Sequence, residues 1–148
     1  MPLRFSTDEG LIRREPNLEK WYPRTVAKTG ELIRNWDVQH DLAMEDISRL
    51  LRGMKSTAEP FELGLLDPRS QSHLRPAAEC FALHHIFMAC DAMHDETGFF
   101  FNRARYYKTE AENMLRIEAQ QLDYDTDRSG SVTEDEKQQP IIMRVTRG

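Results

Sequence analysis

The sequence predicts an all-α fold: a bundle of three long helices plus a short N-terminal helix, followed by an acidic loop and an extended C-terminal arm. Three observations point there. Apolar residues recur at three- and four-residue steps through long stretches. Glycine and proline cluster mainly between those stretches, as at Pro16, Pro23, Gly53, Pro60, Gly64, Pro68 and Gly98. Strand-like alternation is confined to the last eight residues, Ile141 to Gly148.

Taken in order, Ser6-Thr7-Asp8-Glu9 resembles a capping box, with Ser6 as N-cap and Glu9 at N3. A short helix, Asp8–Arg14, is expected to follow and to end at Pro16, with another turn over Asn17–Tyr22 before Pro23. Thr25–Arg52 reads as the first long helix. Leu32, Ile33, Trp36, Ala43, Ile47, Leu50, Leu51 and Met54 supply its apolar rhythm, and Gly53 its stop. Gly30 is a weak point near its start. Lys55–His73 is a connection holding Pro60, Gly64 and Pro68, yet Phe61, Leu63, Leu65 and Leu66 make it apolar enough to need a packing surface. The second long helix runs from Ser72 or His73 to Met93, with Pro76 in its first turn. It is apolar on most faces, as a central or partner-covered helix is. After a turn at His94–Gly98, Phe99–Tyr124 is the third. Phe100, Ala104, Tyr107, Ala111, Met114, Leu115 and Leu122 form its inner face, and Lys108 and Glu112 an outer i,i+4 pair.

The 148 residues suit one domain, with 39% hydrophobic and 30% charged. No run of 18 apolar residues appears, so no membrane span is expected. Met1-Pro2-Leu3-Arg4-Phe5 lacks the apolar stretch of a secretory signal, and residence in the cytoplasm of synthesis is the expectation. Net charge is −5 with both signs mixed. That argues against nucleic acid as the main partner, because phosphate binding needs a concentrated basic surface. Cys80 and Cys90 lie about 15 Å apart on a helix at ~1.5 Å per residue, too far to pair, so buried reduced thiols are expected.

The segment Asp125–Glu136 carries the most specific chemistry. It reads Asp-Thr-Asp-Arg-Ser-Gly-Ser-Val-Thr-Glu-Asp-Glu. Asp125, Asp127 and Ser129 occupy positions 1, 3 and 5 of an EF-hand-type calcium loop. Gly130 sits at position 6, where the turn is sharp. Ser131 offers its carbonyl at position 7, Thr133 acts through water at position 9, and Glu136 is the bidentate ligand at position 12. Calcium is the expected, structural, cofactor. Pro140 follows four residues after Glu136, so an exit helix can last barely a turn, and no second loop exists to pair with Val132. Ile141, Met143 and Val145 alternate with Ile142, Arg144 and Thr146 in an arm too short to form a sheet alone. The expected organisation is a helical domain over 1–124, the loop over 125–136 and the arm over 137–148. Cys80, His84, His85, Cys90 and His94 invite a metal reading, but beyond the Cys80–His84 i,i+4 pair their spacing matches no zinc motif, and packing seams on a buried helix explain them better. Asp91, His94 and Asp95 read as a solvated helix end, and no enzyme signature is found. Trp21, Tyr22 and Trp36 read as core or interface anchors.

Several short motifs occur in a telling order. Glu15-Pro16-Asn17-Leu18 and Trp21-Tyr22-Pro23 precede a long helix. Leu74-Arg75-Pro76-Ala77-Ala78 opens an apolar one holding Ala82-Leu83-His84-His85-Ile86-Phe87. Ala104-Arg105-Tyr106-Tyr107-Lys108 comes next, and Leu122-Asp123-Tyr124-Asp125-Thr126-Asp127 enters the acidic loop. Over residues 5–136 this order resembles the head-to-tail connector (adaptor) proteins of tailed bacteriophages. The resemblance implies a structural virion protein of the neck region, assembled in the host cytoplasm. It would form a homo-oligomeric ring, usually of twelve copies, docked beneath the portal protein. Such a ring presents a surface to a downstream neck or tail protein, and DNA only passes through its channel. It also implies a C-terminal arm that reaches onto the portal, here Ile141, Ile142, Met143, Arg144 and Val145, in the manner of strand addition. Two other readings compete: a small calcium-binding regulatory protein with a single EF-hand, and a toxin–antitoxin or enzyme-accessory helical domain with an incidental acidic loop. A regulatory hand needs an exit helix where a connector needs an arm, and Pro140 favours the arm.

Overall fold

The computed structural model describes residues 3–26, 32–54, 62–94 and 98–122. Within them the fold is all-α apart from one small ribbon. The elements are α1 (Asp8–Arg14), α2 (Leu18–Trp21), β1 (Thr25–Val26), β2 (Leu32–Arg34), α3 (Asp37–Met54), α4 (Pro68–His73), α5 (Arg75–Met93) and α6 (Phe99–Glu118). Single 3₁₀ turns lie at Leu63–Leu65 and Ala119–Gln121. No helix among the described residues is long and apolar enough to cross a membrane.

Helix α1 occupies the expected span, but its cap is Thr7 and not Ser6. The Thr7 hydroxyl accepts the Gly10 N–H at 3.2 Å. Ser6 has a long-range partner instead, the ring of His40. Gly10 faces α5, where a Cβ would lie 2.9 Å from Glu79 Oε2. That carboxylate is buried and held by Arg14 Nε at 3.1 Å. Gly10→Ala is therefore expected to destabilise by about 1–3 kcal/mol, although alanine is the better helix former. A urea midpoint equal to or above that of the unmodified chain would show that Glu79 moves aside freely.

The expected helix over Thr25–Arg52 is only half helix. Thr25–Val26 pairs antiparallel with Leu32–Arg34, and α3 starts at Asp37. Three local features explain the change. Thr25 and Val26 are β-branched, which disfavours helix and suits a strand. Gly30 weakens any helix through it. Asn35 then supplies a start signal: its Oδ1 accepts the Asp37 N–H at 3.0 Å. Trp36, counted as part of the apolar rhythm, is wholly buried at the junction.

The connection expected over Lys55–His73 holds structure of its own. Asp67 and Pro68 open α4, the proline at the helix start where its missing N–H costs nothing. Leu63 and Leu66 are buried in the chain's own core, so this apolar stretch finds its packing surface without a neighbour. Phe61 lies outside the described residues.

Helix α5 starts at Arg75, after a break at Leu74, and ends at Met93. Ala77, Ala78, Cys80, Phe81, Ala82, Leu83, Ile86, Phe87 and Cys90 are all buried on it. It packs along α6 and against α3, and α1 closes a third side. The apolar character that could have called for partner subunits is thus largely satisfied within the chain. Gly98, at φ +77°, makes the left-handed turn into α6. On α6, Phe100, Ala104, Tyr107, Ala111 and Leu115 are buried as expected, with Met114 half-buried. The helix ends at Glu118 and not at Tyr124. A 3₁₀ turn follows, and Leu122 is extended, buried and the last described residue. One core runs from Phe5 to Leu122.

Candidate functional site

Asp125, Asp127, Ser129, Ser131, Thr133 and Glu136 lie outside the described residues, as do Ile141, Ile142, Met143, Arg144 and Val145. What is described is their root. Leu115 on α6, and Ala119 and Leu122 just after it, are buried, so the described chain is anchored in the core up to three residues before Asp125.

Polar side chains fix the N-terminal segment to the helices. Arg4 bonds Asp41 through Nε at 2.7 Å and Nη2 at 3.1 Å, and lies 3.1 Å from Asp37. The Arg4 hydrogen bond holds the Asp41 carboxyl below the usual carboxylate range. His40, almost wholly buried, lies between Ser6 Oγ at 2.5 Å and Asp8 Oδ1 at 2.7 Å. Asp8 also accepts from Arg24, which pairs with Glu19 and lies 4.7 Å over the Trp36 ring. Ser6, His40 and Asp8 are the residue types of an acyl-transfer triad. Ser6 as a residue, however, is only 3% exposed, and its hydroxyl is taken up by the His40 ring. Its evident work is to tie the N-terminal segment and α1 to α3.

A second cluster links α1 to α6. The buried Glu15 carboxylate accepts from Arg103 Nη1 at 2.6 Å and from the Tyr107 hydroxyl at 2.5 Å. Burial, and then this bond to Glu15, raise the Tyr107 pKa well above its ordinary value. The Arg103 guanidinium also lies 5.0 Å from the Phe99 ring and 5.5 Å from that of Trp21. Nothing in the sequence marked Glu15 as a buried charge.

The five residues weighed as metal ligands are not brought together. Cys80 and Cys90 are buried thiols, unpaired with one another, and burial pushes Cys80 up to about 11, where it is unreactive. His94 donates Nε2–H to the Trp21 carbonyl at 3.0 Å. No group of three or more His, Cys, Asp or Glu is placed to hold a metal among the described residues. His84 and His85 do sit side by side. His84 Nδ1 is 2.9 Å from the Ala104 carbonyl on α6, and His85 Nε2 is 2.5 Å from Asp46 on α3. Burial lowers the His84 pKa, and His85 and Lys108 lower it further. Asp46 and His85 are 39 residues apart, so no local pattern announces their pairing. Asp91 is half-buried on α5, and Asp95 lies outside the described residues. Trp36 is a core anchor: its Nε1–H donates to the Tyr22 carbonyl at 3.0 Å. Trp21 is half-buried among Phe87, Phe99 and Phe100. No protein-family model, curated protein or solved structure matches this chain.

Proposed function

We propose that this protein is a head-to-tail connector of a tailed bacteriophage: a helical subunit that forms a ring, of twelve copies, beneath the portal. In this reading α3, α5 and α6 are the bundle, and Asp125–Glu136 is an EF-hand-like calcium loop. The loop acts as an elbow that aims Ile141–Val145 at the portal. The ring links capsid to tail in the neck of the virion, offers its lower face to a downstream neck or tail protein, and lets DNA through its channel.

One observation carries the proposal. An EF-hand-type ligand pattern is followed within four residues by Pro140 and then by an alternating, strand-capable tail. A sensor hand needs a moving exit helix, and this order of residues supplies an arm in its place. The anchored end of α6 supports the elbow by giving it a fixed base. Exposed apolar side chains on α6 support contacts between copies. Phe99, Tyr106 and Ile117 are all exposed and fall within about 20° of one line along the helix at ~100° per residue.

Calcium affinity is expected on the order of 10⁻⁴ M, because three carboxylates and no partner loop make a weak site. Calorimetric titration tests this together with circular dichroism. Weak binding with little change in helicity is expected. Submicromolar binding with a large gain of helix would instead favour a regulatory hand.

A further inference from the structure

His84 and His85 are adjacent on α5, yet each ring is oriented by an acceptor on a different helix. A backbone carbonyl only accepts, so His84 Nδ1 carries the proton shared with Ala104. A carboxylate likewise accepts, so His85 Nε2 carries the proton shared with Asp46. Asp46 is itself held by Arg49 at 3.0 Å. The unprotonated lone pair of each neutral ring is therefore on the other nitrogen, His84 Nε2 and His85 Nδ1. Among the described residues neither of those atoms makes a hydrogen bond of its own. Neither ring is fully buried: both residues are half-buried, and the His85 side chain is 22% exposed.

Metal-binding histidines have this arrangement, in which the far N–H is donated to a carbonyl or carboxylate that fixes tautomer and ring direction. The spacing also suits it. The ring centroids are 5.0 Å apart with planes at 64°. Two imidazoles on one ion, with metal–nitrogen bonds of about 2.0–2.1 Å, place their centroids roughly 4.5–5.3 Å apart. We propose that His84 Nε2 and His85 Nδ1 form a two-histidine anchor for a divalent late transition-metal ion of the zinc class, its remaining positions filled by water. Lys108 lies near enough to disfavour positive charge at His84, while Asp46 offsets that charge from behind His85. An ion held mainly by charge would gain little here. One that bonds imidazole nitrogen strongly has what it needs. This site is independent of the calcium loop and of the connector reading.

The test is a zinc titration of the full ¹⁵N-labelled chain with excess calcium present, so that the acidic segment is already filled. Side-chain nitrogen spectra are expected to show His84 Nε2 and His85 Nδ1 shifting together and saturating at one ion per chain. Magnesium, in a parallel titration, is expected to leave both unmoved. His84→Gln and His85→Gln should each weaken zinc binding at least tenfold. Asp46→Asn should weaken it about tenfold through loss of the orienting carboxylate. Circular dichroism checks that these variants stay folded, and the spectra of the unmodified chain stand even where a variant does not. Zinc affinity unchanged by both histidine substitutions, or shifts at His73 or His94 in place of this pair, would overturn the proposal.

Discussion

Trp36→Ala is expected to lower the unfolding free energy by about 3–5 kcal/mol, a large part of the stability of a domain this size. Trp36 is 0% exposed at the junction between the ribbon and α3. Its removal leaves a cavity and strips the Tyr22 carbonyl of its indole partner. It also removes the ring under the Arg24 guanidinium, which anchors Asp8 and through it His40. Trp36→Phe keeps much of the volume and loses the N–H, so it should cost less, about 1–2 kcal/mol. Urea unfolding of the three proteins separates the contributions, with the midpoint moving and the slope constant. An alanine variant as stable as the parent would mean that the ribbon and α3 do not depend on this side chain.

Removing Pro140–Gly148 is expected to abolish attachment to the portal while leaving the helical circular dichroism and the urea midpoint unchanged. The core runs from Phe5 to Leu122, so the helical domain keeps every described contact when the tail is cut. In the connector reading attachment would depend on the tail, because an added strand gains its affinity from main-chain hydrogen bonds. Its alternate side chains, here Ile141, Met143 and Val145, add the fit to the acceptor edge. Glu136→Gln should give a milder version. It weakens the calcium ligand set, leaves the arm intact and loosens only its aim. Attachment that survives the truncation would assign the portal contact to another surface.

The helices that read most clearly in the sequence are those whose apolar residues face a single dense core. On α6, Phe100, Ala104, Tyr107, Ala111 and Leu115 keep strict helical spacing, and all are buried. The α5 run was equally legible, and its burial on most faces follows from its place between α3, α6 and α1. Thr25–Arg34 misled because Leu32, Ile33 and Trp36 fit a helical rhythm by position. The β-branched pair Thr25–Val26 and the start signal at Asn35 outweigh that rhythm locally. The Ser6 cap misled for another reason. Ser6 and Thr7 both fit the local pattern, and only the distant ring of His40 decides between them. Long-range polar pairs such as Glu15 with Tyr107 and Asp46 with His85 left no trace in the sequence, because their partners meet only once the helices have packed. The residues expected to hold calcium stand out in the sequence for the opposite reason, since all of them fall within twelve consecutive residues, and they lie outside the described residues.

The most direct measurement of the connector reading is the mass of the particle in solution, for the chain alone and mixed with a candidate portal ring. Stoichiometric capture by the portal is expected, with a mass that corresponds to a ring of twelve copies, and the chain lacking 140–148 should remain uncaptured. Monomers that persist and ignore the portal at high concentration, with calcium present, would contradict it.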